Sequence, residues 1–435
     1  IRGGTGLFTG TPPYVWISNQ AGNNGVLFGD LNVRAVKDKN DNIISDGRPS
    51  LGFTGNMDTY KPAEGSATRS DIAITDPDFK YPSLWKSNIA ADYKFGDGWV
   101  ATVELLYSKD INAIYHDNIG LYRTEQFVND GGAGNARPYY NGYYSDREGN
   151  QKAANHVVML RNTSKGHSLY TTFQLQKNFV DGILKGLYLN GSYSFGQSRG
   201  VTDGTSSVAT SAWKYRAALD GNAEEVGYTA GSFDGRLLLS ASYTANWSKY
   251  AATSFGLIYQ RYRPFRYSYC YNGDANGDTQ FSNDLMYIPA NFDEVKDHLL
   301  PGDFDSQEDA WKAMNAFIEQ DPYLSKHRGE YAERNGAVAP FANQLDLSVS
   351  HDIKIYQKNG RSHTLRFSFN IANFLNLLNR NWGVVQTTVL GNQQYQFLTI
   401  PKGQGPSAAN NYTLKYTMAK DLDETFKDNL NDVSR

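Results

Sequence analysis

Residues 365–383 read LRFSFNIANFLNLLNRNWG. Leu365, Phe367, Phe369 and Ile371 alternate with Arg366, Ser368 and Asn370, and the alternation then stops in an Asn-rich stretch carrying Trp382. A period of two describes a strand with one apolar face and one polar face. The fold depends on what the apolar face meets.

The same pattern recurs on either side of this stretch. In 84–111, Ile89, Ala91, Tyr93 and Phe95 alternate with polar or small residues up to Gly96-Asp97-Gly98, and Trp99, Ala101, Val103, Leu105 and Tyr107 continue beyond it. Gly and Asp tolerate the positive φ that a tight hairpin needs. Further alternating runs cover 167–179, 187–198, 236–247, 251–267 and 342–354, with weaker ones at 381–391 and 395–402. These runs are long, about 12–15 residues where about 5–6 is usual.

The connections sort by length. Those at 96–98, 180–186, 248–250 and 355–361 are short, and those at 112–166, 199–235 and 268–341 are long. Phe95, Trp99, Phe179, Trp247, Tyr250 and Tyr356 sit beside the short turns. Long alternating strands, turns that are short and long by turns, and aromatics at one end predict an all-β chain: an antiparallel transmembrane β-barrel with its apolar face in lipid. Lipid offers no partner to an open sheet edge, so such a sheet has to close. A secreted sandwich also alternates, but its strands are shorter and its connections do not sort this way.

Composition agrees and removes other classes. The 435 residues carry a net charge of −3, too little to hold nucleic acid by bulk charge. No apolar run approaches the ~18–20 residues of a membrane helix. Aromatics reach 14%, with Tyr the commonest at 30. A single cysteine, Cys270, excludes an intramolecular disulfide framework. The seven histidines lack metal-ligand spacing, and no nucleophile elbow is present. IRGGTG at 1–6 lacks the Lys-Ser/Thr ending of a phosphate loop. No enzyme is expected. The chain begins at Ile1, which suggests that this is not its natural first residue.

The long connections carry local signals. Ser306 and Asp309 resemble a capping box, and Trp311, Met314, Phe317 and Ile318 at helical spacing predict a helix to about Gln320, stopped by Asp321-Pro322. Asp274, Asn276 and Asp278 stand at alternate positions in NGDANGDTQFSND, as hard oxygen ligands do in calcium loops. They are the candidate Ca²⁺ ligands. The spacing departs from an EF-hand, because the twelfth position is Leu285 and Asp284 falls one short. An ion-free Asx-rich turn is the alternative. Tyr139, Tyr140, Tyr143 and Tyr144 could stack on a sugar or a peptide, or simply pack within their loop.

The opening stretch, together with RGGTGLFTGTPPYVW at 2–16, SSVATSAWKY at 206–215 and YNGDANGDTQFSNDLMYIP at 271–289, resembles TonB-dependent outer-membrane transporters of the SusC-like and Oar-like type. The resemblance is spread over nearly the whole chain. It implies part of a 22-stranded barrel of a Gram-negative outer membrane, closed by an N-terminal plug and energised by an inner-membrane TonB complex. It also implies uptake of a glycan, a peptide or a similar ligand, with a SusD-like surface lipoprotein as an optional partner. A plug, a TonB-contacting box and a final closing strand are not recognisable here. The expected division is 1–83 unassigned, except for one further strand at Tyr14–Ile17, then ten barrel strands within 84–402, then a last outer loop at 403–435. Strands 84–95 and 395–402 are the expected edges, paired with polypeptide outside these residues. A non-transporting barrel subunit and a passive porin are the rival readings.

Overall fold

The computed structural model describes residues 1–22, 35–37, 42–45, 54–56, 58–59, 71–132, 136–144, 156–204, 206–356, 361–391 and 393–429. The protein is mostly β, with 48% of the described residues in strands and 12% in helices. One large antiparallel sheet dominates. Its strands run in the order Arg2–Thr9, Ser83–Phe95, Trp99–Asp110, Gly166–Asn178, Leu187–Gly200, Arg236–Ser248, Ala251–Tyr262, Ala342–Tyr356 and Ser362–Ile371. The short strand Gly227–Tyr228 pairs with the end of 187–200.

Along this path the strands follow chain order, with smaller elements inserted in the long connections. The first hairpin turns through Gly96 (φ 51°) and Gly98 (φ 83°). A Cβ at Gly98 would stand 2.8 Å from the Asn178 carbonyl oxygen, so the left-handed φ and the close approach both demand glycine. At the opposite end of the sheet lie the described residues of the connections between Thr9 and Ser83, Asp110 and Gly166, Gly200 and Arg236, and Tyr262 and Ala342, and those that follow Ile371, as the antiparallel registers require.

The registers sort the side chains as the alternation predicts. Ala91, Val103, Phe173, Tyr193 and Leu237 form one continuous cross-strand row. Tyr243, Phe255, Val349 and Phe369 form another on the same face. The opposite face carries Asp92, Thr102, Gln174 and Ser192 in register. It also carries Thr244, Ser254, Ser350 and Ser368. Its side chains bond to one another: Thr102 to Asp92 (2.8 Å), Thr172 with Ser194 (2.9 Å), Gln260 to Gln344 (3.0 Å) and Ser348 to Asn370 (2.7 Å). Among the described residues nothing covers the apolar face. Leu365, Phe367 and Phe369 are 52%, 58% and 63% exposed.

The long connections fold together into a lobe with its own core. Strand Arg266–Asn272 lies between Gln394–Thr399, which pairs with it in parallel, and Ala337–Val338, and Thr417–Met418 continues the small sheet. Helix Gln307–Gln320 packs Met314, Phe317 and Ile318 into the same core as Tyr267, Tyr269, Tyr395, Phe397, Leu414 and Tyr416. Ser306 caps the helix by accepting the Asp309 N–H at 3.1 Å, and Asp321 ends it in extended backbone.

Four expectations need correction. Residues 395–402 are not an edge of the large sheet, because strand 394–399 is buried in the lobe, with Tyr395, Phe397 and Leu398 all inaccessible. Within 381–391 only Gln386–Thr388 is a strand, and it pairs with Phe426–Asp428. Strand 83–95 is not an edge either, since Arg2–Thr9 pairs along it. Tyr14–Ile17 belongs to helix Tyr14–Gly22, whose Trp16 is buried and donates to the Ser206 carbonyl at 2.7 Å. Among the described residues the sheet path therefore has nine strands, with edges at 2–9 and 362–371.

Candidate functional site

Strand 266–272 delivers the acidic turn into the middle of the lobe. Backbone N–H groups of Asn276 (3.2 Å) and Gly277 (2.6 Å) donate to Asp274 Oδ1, and that of Thr279 (2.8 Å) donates to Oδ2. Asn276 Oδ1 accepts from the Asp278 N–H at 2.9 Å, and Asp278 Oδ1 from the Gln280 N–H at 2.8 Å. Asn276 Nδ2 donates to Asp278 Oδ2 at 3.4 Å. These are successive Asx turns, the local hydrogen bonding that Asp and Asn favour. Gly277 holds φ at 81°, and a Cβ there would sit 2.0 Å from the Tyr140 carbonyl oxygen.

Behind the turn is an ion cluster. Arg137 donates from Nε to Asp130 Oδ2 and from Nη1 to Asp284 Oδ1, both at 3.0 Å, and from Nη2 to the Leu285 carbonyl. Its guanidinium lies 5.6 Å from the centre of the Tyr271 ring and 5.8 Å from that of Tyr331. Asp284 Oδ2 accepts the Ala275 N–H at 2.9 Å, which ties the cluster to the turn. Burial works against the charge on Arg137, but Asp130 and Asp284 more than offset it and hold its proton tightly. Burial pushes the Asp278 carboxyl well above the usual range, and Asp284 and Asp274 push it further. Burial also raises Asp284, to about 7, against the pull of Arg137.

The structure therefore brings Asp274, Asn276 and Asp278 into one turn beside a third acidic residue, Asp284. Oxygen donors and surplus buried negative charge suit a hard divalent cation. Among the described residues, no group of three His, Cys, Asp or Glu side chains converges in the manner of a metal centre.

The tyrosine quartet divides. Tyr140 is buried and donates to Asp220 Oδ1 at 2.7 Å, so it is part of the lobe's packing. The hydroxyl of Tyr143 lies 3.0 Å from His156 Nε2 and 2.6 Å from Thr279 Oγ1, while Tyr144 is 49% exposed. Sequence reasoning missed Arg137. Its two carboxylates lie 7 and 147 positions away along the chain, and no spacing rule links such partners.

Comparison with protein-family models, with curated proteins and with solved structures finds no match for this chain.

Proposed function

We propose that the chain forms much of the barrel wall and the outer loops of a TonB-dependent outer-membrane transporter, which admits a bound ligand without transforming it. The observation that carries this reading is the large sheet. It has long strands, a continuous apolar face left uncovered by the described residues, and a hydrogen-bonded polar face opposite. Burying one Phe or Leu side chain is worth roughly 1.5–3 kcal/mol, so a whole face of them calls for an apolar medium. Lipid supplies one, and a polar face then suits a wide, wet or plugged interior. The folded lobe on one end of the sheet fits an outer surface that captures ligand. In this reading the full transporter includes a plug that meets the TonB complex, and a SusD-like lipoprotein is a further partner to test.

A decisive experiment compares a host strain with and without the energising inner-membrane complex, supplied in turn with peptide and glycan mixtures. Depletion of one mixture only when both the complex and this protein are present supports the transporter. Ion conductance in planar bilayers with no such energy requirement points to a porin. Membrane insertion with neither activity points to a structural subunit.

The calcium reading of the Asp274 turn belongs with this proposal. An external lobe meets millimolar calcium, for which extracellular modules are tuned. A cation there would offset the buried charge of Asp274 and Asp278.

A further inference from the structure

We propose that a second site, at the junction of lobe and sheet, binds an oxyanion: a carboxylate or a phosphate group. A cavity of about 80 Å³ lies where strand 187–200 runs into the lobe. Arg216, Arg266, Arg334 and Ser268 line it, and all four are under 9% exposed.

The hydrogen-bond inventory of this wall is lopsided. Arg216 Nη1 donates to the carbonyls of Val201 (3.3 Å) and Ala223 (3.0 Å), and its Nη2 donates to that of Gly221. Arg334 donates to the carbonyls of Val201, Gly200 and Gly227. The two guanidinium groups thus meet on one oxygen, that of Val201. Nothing accepts from the Nε–H of either arginine. Ser268 Oγ accepts the Asn335 N–H at 2.8 Å, which leaves its own proton to donate. Among the described residues, three buried donors are therefore unspent on side chains that line the cavity.

The acidic neighbours are already engaged. Asp203 also lines the cavity, but its two oxygens accept from the Ala230 N–H (2.8 Å) and from Asn335 Nδ2 (2.9 Å). Glu225 accepts the Leu219 N–H at 2.9 Å. Arg266 reaches Asp234 only at 3.9 Å. Among the described residues no carboxylate forms an ion pair with Arg216 or Arg334. Each arginine is held down in pKa, first by burial and in Arg216 also by its neighbour Arg334, against an opposing pull from Glu225 on both and from Asp203 on Arg334.

Nearby carboxylates offset part of the charge of these two converging arginines without pairing to them, and each unmade buried donor still costs free energy. A small oxyanion meets both demands, because its oxygens take several N–H and O–H donors at once and guanidinium groups suit it. The cavity has room for the charged end of a ligand and not for a whole sugar or peptide. It therefore reads as a subsite for the terminal carboxylate of an organic ligand or for phosphate. Binding here can be measured without reference to transport, so its failure and that of the transporter reading are separable.

The test is thermal unfolding of the detergent-solubilised chain at fixed ionic strength, titrated with sodium phosphate, sodium acetate or sodium chloride. Saturable stabilisation by phosphate alone identifies phosphate as the occupant, and stabilisation by acetate alone identifies a carboxylate group. Arg334→Lys keeps the charge but loses the fork, and should weaken the effective anion about tenfold, as loss of one charge-assisted hydrogen bond does. If that variant does not fold, Ser268→Ala removes one donor with a smaller disturbance and should also raise the half-saturating concentration. Equal response to all three salts, or unchanged affinity in the variants, overturns the site.

Discussion

Single residues carry the sharpest tests of the membrane reading. Leu239 and Ser240 are adjacent in strand 236–248 and point to opposite faces. Leu239 pairs in register with Gly191 and Tyr259, and Ser240 with Asn190 and Ile258. An arginine at a lipid-facing midplane position costs about 2–4 kcal/mol, and one facing a wet interior far less. Leu239→Arg should therefore destabilise the chain folded in lipid vesicles, read by denaturant titration, while Ser240→Arg should be nearly silent; equal losses would sink the assignment of faces. The acidic turn gives a second test. Calcium bound at Asp274, Asn276 and Asp278 should raise the melting temperature above that in chelator, and Asp278→Asn should erase the difference. Identical melting with and without chelator removes the ion and leaves a plain Asx turn. Those three residues were legible from spacing. Their partners were not, because Arg137 and Asp284 reach the turn only through tertiary folding.

At the scale of elements, the large-sheet strands were readable because one face of each stays apolar over its length, so period two survives intact. Gln394–Thr399 misled for the same reason. Its Tyr395 and Phe397 are buried while Gln394 and Gln396 are half-buried, so it alternates as a wall strand does, and the pattern does not say whether lipid or a lobe's core covers the apolar side. Tyr14–Gly22 begins with Tyr-Val-Trp-Ile, a β-favouring run, yet it folds as a helix that buries Trp16 against His116, with ring centres 4.7 Å apart. Helix 307–320 was legible at both ends, and its end is where it can be broken. Asp321 accepts the Tyr269 hydroxyl at 2.6 Å, the Thr425 hydroxyl at 2.8 Å and the N–H groups of Tyr323 (2.9 Å) and Leu324 (2.8 Å). Asp321→Leu would strand these buried donors, at about 1–3 kcal/mol each. It should unfold the lobe while leaving the large sheet's circular-dichroism signal in place; loss of both together would mean that the two parts are not separable.

For the whole molecule, the decisive feature is the sorting of connections to opposite ends of one sheet. Ser306 belongs to the lobe and Asp97 to a tight turn at the far end. With cysteine introduced at each, an impermeant thiol reagent should label Ser306→Cys on intact cells and spare Asp97→Cys; labelling of the turn from outside would overturn the topology. Ser145, a natural companion site, lies outside the described residues. The two edges make a further demand. Among the described residues, strands 2–9 and 362–371 each have a pairing partner on one side only. In lipid an unmet backbone group costs several kcal/mol, so both edges should be protected in hydrogen exchange of the membrane-embedded protein. Fast exchange at both would argue against a closed wall.

The lobe also has a history in time. Tyr271 receives a hydrogen bond from Gln396, 125 positions later, and His298 is joined to Leu414, 116 positions later. Hairpins of the large sheet close over short distances and can form as soon as their two strands are made. The lobe cannot, because its central strand waits for a partner near the far end of the chain, and such distant closures are slow. During biogenesis the sheet would therefore be in place while its outer segments were still unstructured. A chain stopped after residue 391 should keep its hairpins, lack a folded lobe and be cut readily by protease in 263–341.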